Sequence, residues 1–432
     1  MKSVWEDGAL RPAFNGLESD ARCDVLVIGG GIAGVLCAYE LTKRGVDCIL
    51  VDAERICGGI TKNTTAKITV QHGLIYDKMI KRFGKHRAQG YIGAQFDALM
   101  RYRELASQTN FDFCERESCV YTLRDSLSLE RELRALELLG CKASLTDKTE
   151  LPFEVSGALF IKGQAMMHPL KLLYALAAEL CIYENTRVIE IRDGVAVTDK
   201  ARIRAEHFIV ASHFPFINKH GLYFLKMYQH RSYVLGIGAQ EELRGMYIDE
   251  ADGGFSFRSY GKTLLIGGGG HRTGKKGSAW HGLSKLAAEY YPHSNELYRY
   301  ATQDCMTLDG IPYIGRYSKR TQRLYVTSGF NKWGMTSAMV SAHLLSDLVM
   351  GRKNKYEEIF SPGRSILRPQ LAVNAFESAV NLLTPTAPRC PHLGCALKYN
   401  SYEHSWDCPC HGSRFAEDGE LLDNPATKNK SL

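Results

Sequence analysis

The feature that most constrains this chain is an apolar strand that turns on glycines into a helix. Cys23-Asp-Val-Leu-Val-Ile28 has the continuous apolar character of a strand buried on both faces of a parallel sheet. It leads directly into Gly29-Gly-Gly31-Ile-Ala-Gly34, which fits G-x-G-x-x-G. Val35 to Arg44 then reads as a helix, Gly45 ends it, and a second strand, Asp47-Cys-Ile-Leu-Val51, finishes at Asp52. Each part has a mechanical reason. Gly29 permits the tight turn, Gly31 lets a pyrophosphate approach the backbone, and Gly34 lets helix and strand pack closely. The helix N-terminus offers free N–H groups and partial positive charge to the phosphates. Asp52 lies about twenty residues beyond the glycines, where a carboxylate accepts from ribose hydroxyls. The unit predicts an α/β, Rossmann-like dinucleotide-binding domain. The alternative is a glycine-rich turn in an unrelated parallel sheet.

A chain of 432 residues is too long for one small core and suits two or three domains. The net charge of +7 is mild and its basic residues are scattered, so no nucleic-acid partner is expected. The short cluster Arg272-Thr-Gly-Lys-Lys276 reads as a solvated loop, with a phosphate or acidic partner as the sharper alternative. The first residues hold no apolar signal region, and the run Val25–Tyr39 is short and broken by glycines. A cytoplasmic protein without a membrane span is expected. Thirteen cysteines in such a chain favour metal binding or catalysis over a disulfide framework.

Leu324 to Ala338 reads as strand, glycine-bearing loop and helix, the helix running on to Leu348, and Asp309-Gly-Ile-Pro-Tyr-Ile-Gly315 precedes it. Paired with the first motif, this resembles the FAD-dependent D-amino-acid-oxidase-like family, which includes sarcosine and glycine oxidases. The resemblance implies bound FAD, with the last helix aimed at the flavin ring, where negative charge develops on reduction. It would place Gly329, Gly334, Met335 and Thr336 along the ring or the ribityl chain. Family members carry a Gly/Ser/Arg-rich loop after the acid. Here Gly58, Thr61, Thr65 and Lys67 hold that place. Lys67 is the candidate catalytic residue, a cation to stabilise reduced flavin, with a plain surface charge as the competing reading. His72 is a candidate flavin contact or covalent tether.

Residues 75–150 read as helical, with Glu130–Leu139 amphipathic and ended by Gly140. Pro169 opens a further helix. By the resemblance, Thr186–Arg192 is the strand on the adenine side and Val188 its contact. Strands at 230–237, 254–260 and 263–267 alternate like an antiparallel sheet that would roof the flavin. Arg258, Tyr260 and His271 lie on it and read as structural or solvent-facing groups rather than a substrate clamp.

The last segment concentrates soft ligands: residues 390–413 hold four cysteines and three histidines. C-x-H at Cys390 and His392, fifteen intervening residues, and C-x-x-H at Cys408 and His411 closely resemble Rieske [2Fe–2S] proteins. That resemblance implies thiolates of Cys390 and Cys408 on one iron and imidazoles of His392 and His411 on the other. Cys395 and Cys410 match the loop-linking disulfide of the cytochrome bc type. A tetrahedral zinc site is the alternative. Where bc-type proteins carry a tyrosine after the second box this chain has Phe415, which removes one donor and lowers the expected potential. Ser413 remains as a donor, and His404 reads as exposed. Few strands precede the first box, so packing against the flavin domain must support this shortened unit.

The chain as a whole resembles bacterial FAD-dependent oxidoreductases with a C-terminal Rieske domain. The expected fold is a Rossmann-like FAD-binding domain with an antiparallel-sheet substrate domain, plus a small Rieske-type β domain. The oxidoreductase is expected over 1–360, with FAD-binding parts near 20–85, 150–220 and 300–355 and substrate-domain parts near 86–150 and 220–300. A linker with a helix at Gln370–Leu383 fills 361–384, and the Rieske unit 385–432. The expected activity is oxidation of a small substrate, an amine or amino acid, by hydride transfer to FAD. Electrons then pass singly through the cluster to an external acceptor. The alternative is an electron-transfer protein without its own organic substrate. No second G-x-G-x-x-G unit speaks for direct NAD(P)H use.

Overall fold

The computed structural model describes residues 2–218, 220–277, 279–385 and 388–430. The first motif folds as its residues dictate. Ala21–Ile28 pairs in parallel with Cys48–Val51 on one side and Arg202–Val210 on the other. The order continues outward to Leu324–Ser328 and Tyr313–Arg316 at one edge and Cys181–Tyr183 at the other. Val25, Leu26 and Val27 are fully buried, as an apolar strand covered on both faces must be. Helix Ile32–Lys43 packs against Gly334–Val349 and Pro169–Ala177, so the two glycine-led helices of the sequence lie side by side.

A second, curled sheet of nine strands, among the described residues, stands over this layer. Its centre is the long antiparallel set Met227–Gly238, Thr263–Arg272 and Glu296–Thr307, with Ser256–Tyr260 beside it. The helical reading of 75–150 is corrected here. Tyr76–Phe83, Lys85–Ala106 and Leu127–Leu138 are helices, but Cys114–Thr122 is a strand of the curled sheet. It pairs antiparallel with Gly157–Met166 and in parallel with Gly245–Asp249. Its only local signal is the run of β-formers at its end, Cys119-Val-Tyr-Thr122, and long-range pairing supplies the rest.

The C-terminal sheet has four short strands, Lys398–Asn400, Ser405–Asp407, Arg414–Ala416 and Leu421–Asp423, in that order. Its small core is Cys390, Cys395, Leu397, Cys408, Cys410, Phe415 and Ala426. Helix Pro369–Leu383 leads into it and buries two asparagines, Asn374 and Asn381, rather than its apolar residues. Among the described residues, no helix is long and apolar enough to cross a membrane.

Candidate active site and metal centre

The glycine turn, the loop after Asp52 and the start of the last long helix surround a cavity of about 560 Å³. Gly29, Gly31, Asp52, Gly58, Thr61, Thr65, Lys67, Val188, Gly329, Gly334 and Met335 all line it. Gly34 and Thr336 do not. A Cβ on Gly34 would run into the Gly29 carbonyl, so this glycine serves the helix–strand approach. Gly29 sits at φ +108, in the region that favours glycine. Asp52 pins the turn: its carboxylate accepts from the Gly30 N–H at 2.6 Å and the Glu54 N–H at 2.8 Å. Burial raises its pKa, and those two donors pull it back.

Thr336 instead accepts or donates at the His72 ring, 3.2 Å away, and His72 also meets Tyr91 at 2.7 Å and the Thr69 carbonyl at 2.8 Å. Its ring stacks on Trp333 at 4.7 Å. His72 thus ties down the start of the last helix, and it does not line the cavity. Both ring nitrogens are already occupied. Burial depresses it to about 3, so it stays neutral. Arg258 is structural, as its sequence context suggests. It is fully buried, donates to the carbonyls of Thr65 and Ala66, and lies 5.1 Å over the Trp5 ring. It thereby holds the loop that carries Lys67. The Lys67 ammonium reaches Thr65 Oγ1 at 3.1 Å and is pushed down to about 7, chiefly by burial and then by Arg258. A surface charge it is not.

At the C-terminal end, two short turns face each other. Gly394 N–H returns to the Cys390 carbonyl and Gly412 N–H to the Cys408 carbonyl, each at 2.9 Å and each glycine at positive φ. Cys390, Cys408 and His411 are buried, and the His392 and His411 rings stand 4.9 Å apart at 88°. Cys390 and Cys408 share one small buried core, and the Cys408 N–H donates to the Ser413 carbonyl at 2.8 Å. Cys395 and Cys410 form a disulfide that joins the two turns. The sulfurs of Cys395, Cys408 and Cys410 cluster within 4.8 Å, but two of these are spent in that bond.

The FAD dependent oxidoreductase family matches residues 24–348, and the Rieske [2Fe-2S] domain matches residues 372–431. The chain belongs to the FAD-dependent oxidoreductases and carries a Rieske [2Fe–2S] domain. It is an enzyme family that binds FAD, joined here to a domain that binds a two-iron cluster. The chain is 34% identical to YhfW of Bacillus subtilis, a protein described as a Rieske 2Fe-2S iron-sulfur protein, over 99% of this chain and 96% of that one. It is 23% identical to gamma-glutamylputrescine oxidoreductase of Escherichia coli, over 84% of this chain and 93% of that one. In fold it resembles glycine oxidase from Geobacillus kaustophilus, with a TM-score of 0.69 and 20% identity over 80% of this chain and 99% of that one.

The residues present fit both groups that these oxidoreductases hold. A Cβ on Gly31 would meet only Thr61 Oγ1 within 4 Å, at 3.2 Å, so its open side is left to a ligand. At the Rieske site, Nδ1 of His392 and Nδ1 of His411 are buried with no hydrogen-bond partner among the described residues. A buried ring nitrogen without a partner is costly, and a metal supplies one.

The Rieske domain is docked on its histidine side, which sequence reasoning missed. Gln229 Nε2 donates to the carbonyls of His411 at 2.9 Å and Asn424 at 2.8 Å, and Gln303 Nε2 donates to Gly412 at 2.9 Å. His392 Nε2 meets Asn218 Oδ1 at 3.2 Å, and the His411 ring lies 6.2 Å from Phe224. The solvated-loop reading of 272–276 is corrected: Arg272 donates to the carbonyls of Pro409 and Cys410, and Gly274 lies so close to Pro409 that a Cβ there would clash at 2.7 Å. Glu403 pairs with Arg231 and Arg414 in a buried network that includes Asp407 and Asp423. Leu421, Asn424 and Ala426 of this domain also line the cavity that Gly31 and Lys67 line.

Proposed function

We propose that this oxidoreductase removes a hydride equivalent from the carbon next to nitrogen in a small amine or amino acid and sends the electrons outward through its Rieske domain. When bound, FAD supplies two-electron chemistry and the cluster one-electron chemistry. In this reading Gly31, Asp52 and Val188 hold the nucleotide end, while Gly329, Gly334 and Met335 flank the ring. Lys67 stands beside it as a cation that offsets negative charge. Cys390, His392, Cys408 and His411 hold the cluster. The division at 1–360, 361–384 and 385–432 is the working one.

The observation that carries the proposal is the shared wall: residues of the cluster domain line the flavin cavity, and glutamines of the curled sheet bond the cluster loops. The names of the similar proteins, gamma-glutamylputrescine oxidoreductase and glycine oxidase, favour a nitrogen-bearing substrate. The test is an anaerobic titration of the purified holoprotein with amines and amino acids. Bleaching of the flavin by at least one of them is expected. A flavin that stays oxidised with every such compound yet is reduced by a protein electron donor would leave only the electron-relay reading.

A further inference from the structure

Helix Pro369–Leu383 is turned inside out. A helix packed on a protein ordinarily buries its apolar stripe and leaves its polar face to water. Here the buried residues are Asn374 and Asn381. Val373, Phe376, Val380 and Leu383 recur at three- and four-residue spacing on the outer side, with Phe376 68% and Leu383 82% exposed. No exposed residue of this helix carries a charge or a hydrogen-bonding side chain. The apolar surface runs on past both ends. Leu367 is 79% exposed before the helix. Beyond it, Arg389 joins the Leu382 and Gly394 carbonyls, which brings the first cluster turn and its exposed Leu393 to the helix end.

The inner face fixes this orientation. Asn374 Oδ1 accepts from Arg272 at 2.9 Å, Glu377 pairs with Lys275 at 2.7 Å, and the Asn381 carbonyl accepts from the Ala396 N–H at 2.9 Å. Rolling the helix to bury its stripe would break all three. The match to the FAD dependent oxidoreductase family ends at residue 348, so the helix is no part of that fold. A contiguous apolar face held in water marks a protein or membrane contact, and charge decides between them. Among the described residues, the charged side chains that bond to this helix are Arg272, Lys275 and Arg389, all cations. Glu377, the one acid in the helix, is spent on Lys275. Lys276 and Lys398, next to these anchors in the chain, are exposed. A second copy laid across the stripe would set one basic rim against another. Protein interfaces also carry hydrogen bonds, which this face cannot answer. An anionic lipid surface meets both features: acyl chains take the stripe and headgroups take the rim.

We propose that Pro369–Leu383 docks this protein on an anionic membrane surface, with the cluster domain next to the lipid. Fifteen residues make a helix about 22 Å long, too short to span a bilayer, so it lies in the interfacial plane. The assignment holds whatever substrate the flavin cavity takes.

The test is co-sedimentation of the intact holoprotein with vesicles of phosphatidylcholine alone and of phosphatidylcholine mixed equally with phosphatidylglycerol. Binding to the anionic vesicles is expected to be at least about tenfold stronger and to fall as salt is raised, since each basic residue at such a surface is worth about fivefold. The double variant Phe376→Ser with Leu383→Ser removes two large apolar side chains and should weaken that binding at least about tenfold. Both residues are exposed, so FAD content and the cluster EPR signal should stay as in the wild type. Lys276→Glu with Lys398→Glu should erase the preference for anionic vesicles. A wild-type protein that ignores anionic vesicles, or binds neutral ones equally well, would overturn the proposal. So would undiminished binding in the serine double variant. Light scattering gives the remaining outcome: a dimer in solution that the serine variant dissolves, with no vesicle binding, would assign the face to a second copy and overturn the membrane reading.

Discussion

Gln229 Nε2 donates to the carbonyl oxygen of His411 at 2.9 Å, so a side chain of the curled sheet holds the backbone of a cluster ligand. The same amide donates to Asn424, and a Cβ on Gly412 would meet Gln229 Cβ at 2.5 Å. The contact is both bonded and close-packed.

Replacing Gln229 by leucine leaves two carbonyls without their donor, at about 1–3 kcal/mol for each buried group left unsatisfied. The cluster should still assemble, because its four ligands are untouched. Electron passage from flavin to cluster should slow. Stopped-flow absorbance after substrate mixing checks this: the flavin phase should keep its wild-type rate and the cluster phase should lag.

Glu403 is the hinge of the charge network between the two parts. Burial alone would raise its carboxyl, but Arg231 and Arg414 outweigh that and hold it below the usual carboxylate range. A depressed carboxylate contributes stability that is fully present above its unfolded value, about pH 4.3, and is lost as pH falls through the lowered folded value. The docked domain should therefore resist proteolysis at neutral pH and release only in distinctly acid solution. Glu403→Gln should remove that acid transition and cost about 3–5 kcal/mol of docking stability, as breaking one partner of a buried pair does. Limited proteolysis across pH, read by mass of the fragments, checks both.

The two inner glycines of the first motif should separate by phenotype. Gly31→Ala adds a methyl to the open side of the cavity, so the protein should fold normally and bind FAD at least about tenfold more weakly. Gly34→Ala drives a methyl into the Gly29 carbonyl and should lower the thermal stability of the FAD-free protein itself. Apoprotein melting curves and FAD titrations distinguish the two.

Lys67 is held down to about 7, so it is cationic below that pH and neutral above it. The flavin midpoint potential should change slope between about pH 6 and pH 8 as this charge is lost, higher on the acid side. Lys67→Met should flatten that step and lower the potential at acid pH. Spectroelectrochemical titration at several pH values measures it.

What could be read from the sequence was the local chemistry. Gly29, Gly31 and Asp52 act within one strand–turn–helix unit, so their spacing carries their geometry. The two Cys/His boxes likewise close through turns of a few residues. What stayed hidden depends on distant partners. Asp304 and Lys332 belong to different elements, and only the fold brings them to one cavity. Gln229 and Gln303 sit on neighbouring strands where glutamine ordinarily faces water, and nothing local says that a second domain covers them. Cys114–Thr122 lay between helices and took its strand character from Gly157–Met166. Arg272 looked like part of a basic loop because its partners, the Pro409 and Cys410 carbonyls, come from the far end of the chain.

The central claim is that flavin site and Rieske site form one electron path within the chain. Rapid freeze-quench EPR of the holoprotein, mixed anaerobically with a substrate that bleaches the flavin and with no mediator present, tests it most directly. The path predicts that the signal of the reduced cluster grows as flavin absorbance is lost, at a rate independent of protein concentration, and more slowly in Gln229→Leu. A cluster that stays EPR-silent after the flavin is fully bleached, and is reduced only when a mediator is added, would contradict it.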